Sequence, residues 1–240
     1  RKPGGIELTS FGARVTGPTQ EAFDLLRAAF GPAQERERLA ISTLATLAGN
    51  WLSQRLGRFQ AENPGLAVRL ETSDHLVDFA REDITVAIRA GAGVWPGLEA
   101  HHLMAVEYTP MISPELARRH VLSEPADLLK LPLLDPGDEN WALWMKTAGV
   151  ERWEDYRKPG LTMSTDLHEA RAALAGYGVA LLQPDFFRYE LATGGLIQPF
   201  PIISRSGRGF YLAYPKGRRN RPAVRKFRAF LLDEIASDPG

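Results

Sequence analysis

The 240-residue chain predicts a two-lobed α/β protein, and three observations carry that prediction. Apolar and β-branched runs alternate with stripes of helical spacing, joined by connections of a few residues, which is the pattern of parallel sheets with crossover helices. The alternation occurs twice, from residue 37 and again from Pro114. A strong strand and a helix are then left over, as expected if the chain crosses to a second lobe and returns.

At the start, the basic, glycine-rich turn Arg1-Lys2-Pro3-Gly4-Gly5 leads into the short β-like run Ile6 to Thr9, which reads as the end of one structural element, and Thr9 can cap the helix after it. From Ser10 to Ala29 the residues Phe11, Val15, Ala22, Leu25, Leu26 and Ala29 recur mostly at steps of three or four, a helical stripe. Pro18 should kink or restart this helix, and Gly31-Pro32 ends it. A helix of that length cannot bury its stripe unaided, so it lies on its own domain or against a second chain.

Glu37 to Thr43 reads as a strand. Ala48, Leu52, Leu56 and Phe59 then mark a helix from Thr46 to Ala61, closed by Asn63-Pro64-Gly65. Leu66 to Thr72 is the second strand, His75 to Glu82 a short amphipathic helix, and Ile84 to Arg89 a third strand running into Gly91-Ala92-Gly93. Leu98 to Ser113 is extended, with a bend at Pro110. In the second series, helices at Pro114 to Arg119 and Glu139 to Ala148 flank a short strand, Leu131 to Leu134. Leu161 to Ser164 leads into a helix from Asp166 to Ala175, followed by the strand Val179 to Gln183 and a helix from Asp185 to Ala192. The last strand is Phe210 to Tyr214. The last helix, Pro222 to about Ala236, places Val224, Phe227, Leu231 and Ile235 on one face. The crossings between lobes fall near Pro110 to Ser113 and Ile203 to Gly207, and a ligand belongs in the cleft outside the carboxyl ends of the strands.

Composition narrows the function. The 29 basic and 29 acidic side chains balance, which speaks against a chain gripping nucleic acid over most of its surface. The absence of cysteine removes thiolate nucleophiles and Cys-built zinc sites. No signal-peptide pattern stands near Arg1 and no apolar run reaches membrane-spanning length, so a cytoplasmic protein without a membrane partner is expected. Catalytic motifs are poor. His75, His101, His102, His120 and His168 offer no HExxH spacing, and there is no nucleophile elbow, P-loop or GxGxxG fingerprint. No catalytic residue, metal or cofactor is expected. One patch breaks the balance, since residues 201 to 230 hold nine Lys or Arg and no acid. Such a patch can meet phosphate, although a solvated face paired with acids elsewhere is the ordinary outcome.

The first strand-to-helix turn, Ser42-Thr43-Leu44-Ala45-Thr46, sets hydroxyls and backbone N–H groups at a helix start, where the dipole favours an anionic group. Ser164-Thr165-Asp166 is the matching place in the second half. Thr46 and Asp166 can equally be plain N-caps, but the pairing of two such turns favours ligand contact. Asp166 repels an acidic ligand, and Asp78 adds a further carboxylate. A ligand carrying both amino and carboxyl groups resolves that conflict, and solvated helix faces explain both acids equally well.

The segments RKPGGIELTSFGARV, ISTLATLAGNWLSQRLGRFQAENPG, VDFAREDITVAIRAGAGVWPGLEAHHL, GDENWALWMKTAG and EARAALAGYGVALLQPDFF, in this order over essentially the whole chain, resemble the LysR-type transcriptional regulators. They are most similar to the branch of the glycine-cleavage and β-lactamase regulators. The resemblance implies a bilobed periplasmic-binding-protein-like effector domain of two Rossmann-like subdomains, preceded by a linker helix. Residues 1–9 would be the tail of a winged helix-turn-helix, 10–33 the dimerising linker, and 34–240 the effector domain. Lobe I would then hold 34–111 and 207–240, and lobe II 112–206. Arg1 and Lys2 would be remnants of wing contacts to phosphate, with the recognition helix upstream. The resemblance also places Thr46 at the hydroxyl position that often contacts effector, Thr165 and Asp166 where lobe II contributes, and Phe210 as one wall. Ser is the commoner residue where Asp166 stands. The candidate effector contacts are Thr43, Thr46, Asp78, Thr109, Thr165, Asp166 and Phe210, with Trp95 and Trp141 left to packing. The implied partners are a small molecule such as an amino acid, purine or cell-wall peptide, DNA through the missing head, and a homodimer or homotetramer. The other fitting function is a solute-binding protein of transport.

Overall fold

A computed structural model describes residues 9–30, 37–155 and 160–237. Arg1, Lys2 and the end of the expected linker at 31–33 lie outside the described residues. Helix α1, Ser10–Phe30, continues through Pro18, and the Thr9 hydroxyl accepts from the Gly12 N–H at 3.1 Å, as a cap should. Phe11, Phe23 and Leu26 on this helix are exposed.

Six strands form one sheet in the order β2-β1-β3-β6-β4-β5. Strands β1 (Arg38–Thr43), β2 (Ala67–Thr72) and β3 (Val86–Gly91) are parallel. The first crossover is helical, as the spacing of Leu52, Leu56 and Phe59 requires. It starts as α2 (Ala45–Leu47), passes a π-helical turn (Ala48–Leu52) and ends as α3 (Ser53–Glu62). The second crossover corrects the expected helix at His75 to Glu82, because this segment is loop with one turn. Its polar side chains bond the local backbone instead: Glu82 accepts from the Asp78 N–H at 2.7 Å, and Asp78 from the Ala80 N–H at 3.0 Å. Such bonds compete with helix.

The crossings between lobes are strands rather than loops. β4 (Leu98–Met111) and β6 (Ser204–Pro215) run antiparallel from Leu98 against Pro215 to Tyr108 against Ser204. β4 then continues alone into the second lobe, pairing there with β5 (Ala180–Leu182). Two register shifts interrupt the β4–β6 ladder, at His102/Met104 and Ala105/Glu107. At the second, the buried Gln183 side chain takes the place of a strand, accepting from the Glu107 N–H at 3.1 Å and donating to the Ala105 carbonyl at 2.9 Å.

The second lobe carries α4 (Pro114–Arg118), α5 (Glu139–Thr147), α6 (Asp166–Leu174) and α7 (Arg188–Ala192). The strand expected at Leu131 to Leu134 is reduced to one parallel bridge, Leu133 with Val179. Pro132 within it cannot donate to a ladder. The expected helix from Asp185 is split into a 3-10 turn, Pro184–Phe186, and α7. Helix α8 (Pro222–Ser237) returns to the first lobe, burying Val224, Phe227 and Leu231 as the stripe predicts.

Two apolar cores result. One surrounds Ile112, Leu128, Trp141, Trp144, Val179 and Phe200 in the second lobe. The larger is centred on β1, β3, β6, α3 and α8, and it continues through Ala170, Ala173, Leu182 and Phe187 into the base of the second lobe. Both indole N–H groups are satisfied, Trp141 on the Leu134 carbonyl and Trp144 on the Ile202 carbonyl, each at 3.0 Å. Trp95 packs edge-on against Tyr211 with ring centres 5.8 Å apart.

Candidate functional site

The two helix starts read from the sequence do meet. Thr46, in the first turn of α2, is 6% exposed, and its Oγ1 accepts from the Leu167 N–H at the head of α6, 3.2 Å away. An N–H of that first turn has no partner within its own helix, so one lobe caps a helix of the other. Neither Thr46 nor Asp166 is the cap of its own helix. Leu44 holds that position for α2 without a side-chain bond, and Thr165 holds it for α6, its Oγ1 accepting from the His168 N–H at 3.4 Å. Thr43, ending β1, is 0% exposed and its hydroxyl has no partner among the described residues.

Other candidates lie apart from this junction. Thr109 is buried and donates its hydroxyl to the Ile202 carbonyl at 3.0 Å, tying β4 to the segment entering β6. Phe210 is buried core, edge-on to Phe186 at 5.3 Å. Asp78 lies in the exposed loop before β3 and pairs with Arg81 at 3.6 Å.

Around the head of α6 gathers a set of carboxyl groups that sequence reasoning largely missed. Burial, with Asp138 nearby, raises the Asp166 carboxyl to about 6. Glu169 is 7% exposed, and burial, followed by Asp166, Asp135 and Asp138, pushes its carboxyl up to about 8. The phenol of Tyr108 on β4 is raised by burial first and then by the charges of Asp166, Asp138 and Glu169. Asp135 has φ 40°, a left-handed conformation uncommon outside glycine, in the turn that leads to Asp138, the N-cap of α5. These groups stand where the Leu133 bridge segment ends and where α5 and α6 begin, the edge at which α/β folds place ligands. A signal for Glu169 was available: Ala172 and Ala173 stand three and four residues on, so its helix face is one of small apolar residues.

On the first lobe, Arg89 is buried, and loss of solvent lowers its pKa. It donates to Ser42 Oγ at 2.7 Å and to the His75 carbonyl at 3.1 and 3.2 Å, fixing the loop after β2. A cavity of about 210 Å³ beside Ala40, Val68 and Thr85 sits at the opposite ends of β1 and β2. The basic run after residue 201 is partly spent on structure. Arg205 pairs with Glu107 at 2.6 Å, Arg219 with Glu99 at 3.5 Å, and Arg218 donates to the Phe79 carbonyl at 3.0 Å. His101 and His102 lie on opposite faces of β4, one against Tyr214 and the other against Tyr211. Among the described residues no group of three His, Asp or Glu is placed to hold a metal ion, and no helix is long and apolar enough to cross a membrane.

Residues 32–236 match the family model of the LysR substrate binding domain. The chain is 33% identical over 239 residues to the HTH-type transcriptional activator AmpR of Providencia stuartii, covering 98% of this chain and 80% of that protein. It is 30% identical over 240 residues to a carbapenem-hydrolyzing β-lactamase transcriptional activator of Serratia marcescens, with 97% and 80% covered. Among solved structures, the effector domain of AmpR of Pseudomonas aeruginosa superposes with a TM-score of 0.73 at 33% identity, covering 84% of this chain and 96% of that one.

Proposed function

Because the chain belongs to the LysR family of transcriptional regulators as its two-lobed ligand-sensing domain, we propose that the junction of α2 and α6 is where a small-molecule effector is read. The observation that carries this is the Thr46 to Leu167 bond. It is a hydrogen bond across the two lobes, made by a hydroxyl and an N–H that an effector can take over. A ligand that replaces it gains affinity in one arrangement of the lobes and not in the other, which is what shifts a population.

The same relatives remove the transport solute-binding alternative, since they are transcriptional activators. We assign this chain sensing rather than catalysis. Thr43, Thr46, Thr165 and Asp166 are the proposed contacts, while Thr109, Phe210 and Asp78 serve at most indirectly. The apolar stripe of α1, exposed at Phe11, Val15 and Leu26, supports the reading of residues 10–33 as a dimer contact between two copies in the cytoplasm. DNA binding would belong to a helix-turn-helix head of the kind for which the relatives are named.

Replacing Thr46 with Val in the full-length regulator keeps the shape and removes the acceptor. The expected outcome is a weakened inducer dose response in a reporter assay, roughly tenfold for the loss of about 1.4 kcal/mol, with operator binding unchanged. An unchanged dose response would remove Thr46 from the site.

A further inference from the structure

We propose that the cavity at the start of β1 and β2 is a second ligand site, for a small carboxylate with a short apolar body. Its anionic end is held by Arg38 and the hydroxyl of Thr85. The site lies at the end of the first-lobe sheet remote from the crevice, so it is a separate input and does not depend on how the junction of α2 and α6 is read.

The pairing of the two strands makes this hollow. Arg38 stands opposite Ala67, and Ala40 opposite Arg69. Side chains alternate along a strand, so all four share one face of the sheet. The arginines take one diagonal and the alanines the other, which leaves a floor of methyl groups between two long cationic side chains. Asp83 to Thr85, the approach to β3, forms the third wall. The β1–β3 register begins only at Ile41 against Val86. Below it the Thr85 side chain takes the place of a strand, its Oγ1 accepting from the Ala40 N–H at 3.0 Å while the Thr85 N–H donates to the Ala40 carbonyl at 2.8 Å. The space enclosed is about 210 Å³, about seven times the share of one water in the liquid.

The polar groups on the rim differ in what they have left to offer. Arg69 is engaged, pairing with Glu71 at 2.9 Å and with Asp83 at 3.3 Å, so the rim carboxylate of Asp83 is already neutralised. Arg38 is exposed and has no acid partner among the described residues. Thr85 Oγ1 accepts one bond and keeps its own proton for another acceptor. A ligand therefore meets one cation and one O–H above a floor in which Ala40 is 5% exposed. The planar fork of a guanidinium matches a carboxylate, and the hydroxyl adds a directed bond. The methyl floor takes methylene groups out of water. An ammonium group is repelled by Arg38, and an inorganic anion leaves the floor uncovered.

The test titrates the whole 240-residue chain with sodium butyrate, against butylammonium chloride, butanol and sodium phosphate at equal ionic strength. Amide proton–nitrogen correlation NMR follows each titration. Butyrate should move the Ala40 amide, which carries the bond to Thr85, in a saturable way, and leave the Leu167 amide at the crevice in place. The other three probes should leave Ala40 where it is. Arg38→Gln keeps the stem and removes the charge, and should weaken butyrate about tenfold, the loss of one charge-assisted bond at an exposed rim. Ala67→Leu fills the hollow from its open side and should abolish the response, with its melting temperature confirming that the variant folds; if it does not fold, Arg38→Gln still decides. Thr46→Val should leave the butyrate response unchanged. No movement of Ala40, saturable movement at Leu167 in its stead, equal response to butyrate and phosphate, or full affinity in Arg38→Gln would each overturn the site while leaving the sensor reading of the crevice intact.

Discussion

Thr43 and Thr46 lie three residues apart and spend their hydroxyls differently. One is fully buried without a partner, and the other reaches an N–H of the opposite lobe. An unsatisfied buried hydroxyl costs about 1–3 kcal/mol. Thr43→Val, which removes the hydroxyl and keeps the shape, should therefore raise stability by about 1 kcal/mol in urea unfolding. A loss of that size would mean that the hydroxyl is satisfied in solution. Both residues were legible as hydroxyls at a strand-to-helix turn. What the sequence could not show was the partner, because Leu167 stands 121 residues further on and its contribution is a backbone N–H that any residue carries. Glu169 escaped notice for a related reason, since a charged residue on a helix is most often solvated and the small apolar face formed by Ala172 and Ala173 is a weak signal against that.

Among the elements, those with a strong period and clear punctuation match their forecast. β1, β2, α4, α5, α6 and α8 agree within about two residues, the usual uncertainty of an element's ends. Those that failed are short and polar, the segment from His75 to Glu82, or interrupted by proline, the segment from Leu131 to Leu134. The length of β6 was also missed: Arg205, Ser206, Gly207 and Arg208 look like a loop, but they pair with β4 along the crossing. Tertiary pairing overrides local propensity there. The Gln183 side chain is the device that keeps this crossing whole, satisfying backbone groups on both sides of the irregularity at Ala105/Glu107. Gln183→Leu fits the space but leaves a buried N–H and a carbonyl unpaired, so a loss of about 2–3 kcal/mol is expected in chemical denaturation. A change below about 0.5 kcal/mol would show that water replaces the amide.

For the molecule as a whole, Glu169 and Asp166 set a pH dependence with a definite sign. Their folded values, about 8 and about 6, lie above the ordinary 4.5 and 3.8, so the folded state holds protons that the unfolded chain releases. Their contribution is complete below about pH 4 and is lost as pH rises through about 6 and then about 8. Asp127, held down to about 2 by Lys130 and two backbone N–H groups, acts oppositely, and its contribution is lost as pH falls towards 2. Melting temperatures between pH 5 and pH 9 should fall for the wild type and fall less for E169Q. Parallel curves would mean that Glu169 is ionised throughout. The two-lobed plan was legible because the same alternation of strand and helix appears twice, but the depth of the join was not. The larger core runs beneath the crevice into the second lobe, and its first-lobe portion is closed by Val224, Phe227 and Leu231 from the last helix. Synthesis proceeds from the other end. A ribosome delivers the whole second lobe before it releases α8, so β1 to β3 must wait for the final residues with their apolar face uncovered. A chain truncated after residue 215, lacking α8, would therefore keep the second lobe's core and leave the first lobe's core uncovered on the face that Val224, Phe227 and Leu231 close.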